Sequence, residues 1–216
     1  MKQITFYLDF ISPYAWLAFE RLPQELEGLS YHVRYRPVLL GALLQQYGNP
    51  GPAGIPPKRD WTYRHVSWLG HAQGCGLDMP AEHPFNPLPL LRLALACSDD
   101  GCINRFVAHA VLRHVWIGGQ DALDASRLEG LRSVLRDQLR PDPDGTGATA
   151  KALLRANTDE AAARGVFGVP AWEVDGRLFW GLDGLPMLRA YLAGDPWFEG
   201  PAWEAAAQVP ARPAKA

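Results

Sequence analysis

Three short segments of this chain carry groups suited to holding a small sulfur anion. Ser12-Pro13-Tyr14-Ala15 follows an apolar, β-rich run over residues 3–9 and opens a helical pattern. A residue at such a strand-to-helix junction meets unpaired N–H groups and the positive end of the helix dipole. That setting stabilises thiolates, yet the chain places no sulfur there. A bound thiol would bring one, and the Ser12 hydroxyl would then donate to the sulfur anion. The same serine, followed by Pro13, also reads as a plain N-cap. Far along the chain, Val169-Pro170 closes the segment Gly165-Val-Phe-Gly-Val-Pro170, and Phe179-Trp-Gly-Leu-Asp183 follows a predicted hairpin. Asp183 suits a helix cap and equally a partner for a ligand amine, with the amides beside it free for a carboxylate.

A second group of polar residues lies in the middle of the chain. Gly48-Asn-Pro-Gly-Pro-Ala-Gly-Ile-Pro-Pro-Lys-Arg59 reads as a covering loop that contains Asn49 and ends in two cations. Lys58 and Arg59 would bind a substrate carboxylate or simply begin a solvated helix. Asn86, before Pro87, is a substrate contact or an N-cap. Trp16, Trp68 and Trp180 read as core residues or as the walls of an aromatic pocket. The six histidines give no metal signature: His109 and His114 are five apart, His65 and His71 six apart. No His/Cys/carboxylate cluster has zinc spacing. No serine elbow, P-loop or dinucleotide fingerprint is present. Three cysteines, Cys75, Cys97 and Cys102, form no Cys-x-x-Cys pair and read as reduced thiols, with a Cys97–Cys102 bridge across a turn left open.

The elements that must position these groups follow from periodicity. Residues 3–9 and 30–37 read as strands around a helix running to about Leu26, a βαβ unit with parallel strands and a right-handed crossover. Glycines and prolines break the pattern over 41–60. Helical spacing then predicts helices over 61–74, 88–97, 102–116, 126–139 and 149–163, with Asp142-Pro-Asp-Gly145 as punctuation. Residues 171–180 read as a hairpin turning at Asp175-Gly176, and 183–192 as a last helix. The order βαβ, helical block, αββα predicts an α/β chain of thioredoxin-like fold with a large all-helical insertion. The expected division is 1–40 with 156–198 as the thioredoxin-like domain, 41–155 as the helical insertion, and 199–216 as a mobile, Ala/Pro-rich tail. In that fold Ser12–Ala15 stands where redox relatives carry Cys-x-x-Cys, and the residue before Pro170 offers its backbone to a peptide-like ligand. The missing dithiol argues against disulfide exchange.

Bulk composition narrows the classes. The 216 residues are 48% hydrophobic and 20% charged, with net charge −2. This is a folded chain with no basic surface for nucleic acid. No stretch approaches the roughly 20 apolar residues of a membrane span. The strand pattern starts at once, so no secretory signal and a cytoplasmic location are expected.

Phe6-Tyr-Leu-Asp-Phe-Ile-Ser-Pro-Tyr-Ala-Trp-Leu17 resembles the opening of 2-hydroxychromene-2-carboxylate isomerases, which group with kappa-class glutathione transferases among DsbA-like thioredoxin folds. The resemblance continues through Arg36-Pro-Val-Leu-Leu-Gly41, the Gly48–Arg59 loop, Phe85-Asn-Pro-Leu-Pro-Leu-Leu-Arg92 and Gly165–Pro170, and ends in Phe179–Asp183. It implies glutathione as cofactor, with Ser12 at its sulfur, Val169-Pro170 along its backbone, and Leu182 and Asp183 at its γ-glutamyl end. It implies a conjugated aromatic carboxylate substrate with Asn86 near it and a cis–trans isomerisation through the borrowed thiol; Asn49, Lys58 and Arg59 of the covering loop are the further expected substrate contacts. A kappa-type transferase and a non-catalytic glutathione binder are the alternatives. The family tends to dimers, and this chain adds no separate signal for a homodimer. One departure stands out. Gly181-Leu-Asp-Gly184 occupies the place of the family's Gly-Asn/Ser-Asp-Arg, which removes two candidate ligands for the glutamyl group and leaves the Leu182 N–H.

Overall fold

In the computed structural model, residues 1–142 and 145–210 are described. β1 (Lys2–Leu8), α1 (Pro13–Glu25) and β2 (Tyr31–Pro37) form the opening βαβ unit. β1 and β2 pair in parallel, Lys2 opposite Tyr31 through Leu8 opposite Pro37. β3 (Ala171–Val174) and β4 (Arg177–Trp180) form the hairpin; β3 runs antiparallel to β1, and the sheet order is β2-β1-β3-β4. Asp175 has φ +52° and Gly176 φ +78°, the pair of left-handed residues a two-residue hairpin turn requires.

Alternation along β1 feeds two cores. Ile4, Phe6 and Leu8 join the larger one with Trp16, Phe19, Leu91, Val111 and Trp172. Tyr7 faces the other side with Val38, Leu43, Ala161 and Val169. Burying both faces of β1 sets Ser12, four residues past its end, on a fixed platform.

Between the halves lie α2 (Leu40–Gln46), α3 (Pro56–Gln73), α4 (Leu88–Leu95), α5 (Arg105–Trp116), α6 (Ala125–Val134) and α7 (Ala148–Ala163). The expected 41–60 loop is shorter than its glycines and prolines suggest. α2 occupies its start, and α3 begins at Pro56 because Pro56 and Pro57 fill first-turn positions whose N–H groups need no partner. The expected domain boundaries at 40/41 and 155/156 fall inside α2 and α7. α7 is continuous because it serves both sides: Ala150 and Leu154 join the larger core, and Ala161 the smaller. Its buried Asn157 donates to the carbonyls of Pro37 (3.0 Å) and Gly101 (2.7 Å), pinning β2 to the helical block.

α8 (Leu185–Leu192) starts two residues after Asp183, not at it. Past 199, where a weakly patterned tail is expected, α9 (Ala202–Ala207) brings Trp203 against Phe179 and Phe198, with ring centroids 5.8 and 5.6 Å apart. Aromatic contacts, invisible to a periodicity count, hold this segment; residues 211–216 and the Pro143-Asp144 part of the expected punctuation lie outside the described residues. Cys75, Cys97 and Cys102 are all free thiols. Among the described residues no helix is long and apolar enough to cross a membrane.

Candidate active site at the start of the first helix

Ser12 caps α1. Its backbone is extended (φ −90°, ψ 114°), its Oγ accepts from the Ala15 N–H at 3.3 Å, and Pro13 follows at the first helical position. The same hydroxyl donates to the Val169 carbonyl at 3.4 Å, across 157 residues of chain. That bond is at the long limit for O–H donation, so the single hydroxyl proton is weakly committed. The cap reading and the ligand-facing reading of Ser12 therefore coexist in one side chain.

The turn behind Ser12 is tied on every side. The Ser12 N–H donates to the Asp9 carbonyl at 3.1 Å. The Asp9 carboxyl, 0% exposed, accepts from the N–H groups of Ile11 (3.2 Å) and Leu40 (2.9 Å). Trp116 donates its indole N–H to the Phe10 carbonyl at 3.0 Å. His83 Nε2 lies 2.9 Å from the Ile11 carbonyl, which makes it the protonated nitrogen, and the Tyr63 hydroxyl sits 2.8 Å from Nδ1. Burial pushes the Asp9 carboxyl up to about 7 and pulls His83 below its ordinary 6.5, so both lean towards their neutral forms.

Beside this turn opens a cleft of about 540 Å³. Tyr14, Arg21 and Glu25 of α1 form one wall; His65, Leu69 and Gln73 of α3 form another; Val169, Pro170 and the Trp180–Asp183 turn form the third. The Val169–Pro170 peptide is cis, and the Pro170 carbonyl accepts from the Gly181 N–H at 2.9 Å, so the proline and the turn move as one unit. Gly181 has φ +85°, and a Cβ there would strike the Asp183 carboxylate. Asp183 is exposed, lies in a short 3₁₀ turn (Leu182–Gly184) and makes no capping bond. The capping role drops out because Gly184 precedes α8 instead. Its charge helps raise the Tyr14 phenol above 10.0, behind the larger effect of burial.

Of the residues singled out by sequence, Val169, Pro170, Leu182 and Asp183 line this cleft, and Ser12 adjoins it through Val169. Asn49, Lys58, Arg59 and Asn86 do not line it. Asn49 Oδ1 accepts from the Gly51 N–H at 2.9 Å, and Asn86 Oδ1 accepts from the Leu88 N–H at 3.1 Å, each holding its own turn. Lys58 is exposed in the first turn of α3, and Arg59 reaches Asp60 at 3.4 Å. Trp16 is core, its indole N–H on the Gly76 carbonyl at 2.9 Å; Trp68 is 59% exposed; Trp180, 53% exposed, lines the cleft. Sequence reading passed over Tyr14, His65 and Asp9. Asp9 had a signal, a carboxylate enclosed by Leu8 and Phe10 at a strand end. His65 had only its helical spacing from Trp61 and Trp68. Among the described residues no three His, Cys, Asp or Glu side chains converge on a metal position.

The model of the DSBA-like thioredoxin domain matches residues 3–193. A 2-hydroxychromene-2-carboxylate isomerase of Sphingobium xenophagum is 29% identical over 209 residues, covering 88% of this chain and 98% of its own. A glutathione S-transferase kappa 2 of Caenorhabditis elegans is 27% identical over 218 residues, covering 93% and 95%. A solved 2-hydroxychromene-2-carboxylate isomerase superposes with a TM-score of 0.70 at 24% identity, covering 96% of this chain and all of that one, a likeness of fold. With its βαβ and hairpin halves joined across Ser12 and Val169-Pro170, this chain belongs to the DsbA-like thioredoxin-domain family.

Proposed function

We propose that this protein is a glutathione-dependent isomerase of the 2-hydroxychromene-2-carboxylate type. The observation that carries the reading is the pairing of Ser12 with the Val169 carbonyl at a helix N-terminus where neither Ser12 nor Ala15 can form a disulfide. Relatives of both isomerase and transferase name match along nearly the whole chain, which makes an enzyme of this family the supported class.

The residues present fit glutathione. The Ser12 hydroxyl proton is held only by a 3.4 Å bond and is free to turn towards a sulfur anion. The first turn of α1 adds its N–H groups and dipole, which favour an anion at that point. Val169 lines the cleft beside Pro170, with its backbone suited to a γ-glutamyl peptide, and Asp183 supplies a carboxylate for an ammonium group. Leu182 offers its N–H where the family more often has a polar side chain. Bound glutathione would supply a sulfur nucleophile that adds to a conjugated carbon, permits rotation about the resulting single bond, and leaves again. The chain's part is to stabilise the anion, to hold the aromatic acid between Trp180 and the α3 wall, and to exclude water. Lys58, Arg59, Asn49 and Asn86 remain proposed substrate contacts; the 47–59 segment would have to fold towards the cleft for the first three, and the Asn86 turn for the fourth.

The test follows absorbance and free thiol together while purified protein meets 2-hydroxychromene-2-carboxylate, with and without glutathione. Glutathione-dependent spectral change at constant thiol is the expected result. Thiol loss in step with the spectral change would instead establish the kappa-type transferase, which the Caenorhabditis elegans relative favours. Binding without either change would leave a glutathione-binding protein.

A further inference from the structure

An aromatic acid bound in the cleft needs a cation for its carboxylate, and Lys58 and Arg59 do not line that space. Arg21 does, and among the described residues that line it Arg21 is the one lysine or arginine. It stands on α1 seven residues past Tyr14, two turns and about 10 Å along the same helix face. Glu25, one turn further, accepts from the Arg21 Nε at 3.1 Å, and its own side chain is only 14% exposed. That bond fixes the plane of the guanidinium. The two terminal nitrogens of Arg21 make no hydrogen bond among the described residues. Arg189 of α8, the next cation beside this end of α1, is already committed to the carbonyls of Glu25 and Glu27. Nearer Ser12, the Tyr14 hydroxyl and His65 Nδ1 lie 3.0 Å apart and join α1 to α3.

We propose that Arg21, held by Glu25, anchors the carboxylate of the aromatic acid. The substrate class rests on the isomerase reading above; the anchor itself rests on the cleft. The terminal N–H groups of an arginine match the two oxygens of a carboxylate in one plane. Much of the remaining lining is apolar: Leu69 on α3, Pro170, Trp180, and Leu185 and Pro186 at the start of α8. An apolar slot with one cation suits a flat acid whose rings leave water while its charge keeps a partner. Glutathione is polar along its whole length and matches the third wall instead, where Asp183 faces an ammonium group. Glu25 and Asp183 put two negative charges in the same lining. The acid is therefore held by the geometry of the fork and not by net charge. A bare cation at position 21 will not replace it.

The probe is 2-hydroxycinnamate, with its neutral amide as control, each titrated calorimetrically into the protein with and without glutathione. Wild type should prefer the acid to the amide by roughly 10-fold, the lower range for a hydrogen-bonded charge. Arg21→Gln should abolish that preference. It should also raise KM for 2-hydroxychromene-2-carboxylate by a similar factor while kcat holds, the mark of lost uniform binding. Arg21→Lys keeps a charge without the fork and should restore at most part of the preference. A thermal melt beside each titration checks that the variants are folded. No preference for the acid in wild type, or an undiminished preference in Arg21→Gln, would overturn the anchor. Weaker glutathione binding by Arg21→Gln with the acid preference intact would overturn it too, and assign Arg21 to the thiol. A preference lost in Arg21→Gln, with no glutathione-dependent conversion by wild type, would remove the isomerase reading and leave the anchor standing.

Discussion

Asp9 offers the sharpest test of how the Ser12 turn is built. Its carboxyl is wholly buried, and burial raises it from 3.8 to about 7 against the pull of backbone N–H donors. Between those values the folded protein keeps a proton that the unfolded chain has released. Stability from this group is therefore fullest below 3.8 and falls as pH rises to about 7. At about 1.4 kcal/mol per pH unit the loss is on the order of 4 kcal/mol, of which about 3 falls between pH 5 and 7. Asp9→Asn removes the titration and keeps the shape. Its single carbonyl oxygen serves only one of the Ile11 and Leu40 N–H groups, and its amide faces the other, at a cost of about 1–3 kcal/mol. The variant should be the less stable protein at pH 5 and should equal or exceed wild type at pH 8. Urea unfolding of both proteins at both pH values measures this, and the other titrating groups cancel in the difference. A stability gap that does not change between pH 5 and 8 would refute the burial argument.

Two further substitutions probe the site and its frame. Ser12→Ala should cost about 1 kcal/mol of stability through the lost cap and lower glutathione-dependent turnover far more than that loss explains; steady-state rates at saturating glutathione, beside a thermal melt, separate the two effects. Asn157→Ala leaves the Pro37 and Gly101 carbonyls without their donor in the interior. Each carries a penalty of about 1–3 kcal/mol, so a loss of about 2 kcal/mol or more in urea unfolding is expected, with kcat/KM at permissive temperature little changed.

The sequence carries the frame of this fold because its signals are local. Alternation in residues 3–9, Ser12-Pro13 at a helix start and Asp175-Gly176 in a hairpin each depend on a few neighbours, and the structure places β1, α1 and the hairpin there. The helix expected over 149–163 is α7, and the expected 155/156 domain boundary falls within it; the helix serves both cores, Ala150 and Leu154 in the larger and Ala161 in the smaller. Prolines misled: Pro56-Pro57 looks like loop and is the first turn of α3, which moves Lys58 and Arg59 from a covering loop onto a helix. The cleft was legible only in part. Val169-Pro170 and the Leu182–Asp183 turn could be named from their motifs, whereas Tyr14 and His65 meet by packing α1 against α3, a pairing no spacing encodes.

The geometry also explains why a hydroxyl at position 12 is not a passive replacement for sulfur. A cysteine at a helix start is activated by the same N–H groups that here receive the Ser12 oxygen at Ala15. Serine cannot ionise in that field, so the field stays available to an anion brought from outside. Burial pushes both Asp9 and His83 towards neutrality behind the turn, so below about pH 7 Asp9 adds little negative charge to oppose it. As pH rises past about 7, Asp9 ionises directly behind the turn, and its negative charge begins to work against a bound thiolate even as more of the thiol ionises. The two effects have opposite signs, so the pH range in which this site holds a thiolate is set by the buried carboxyl as well as by the thiol.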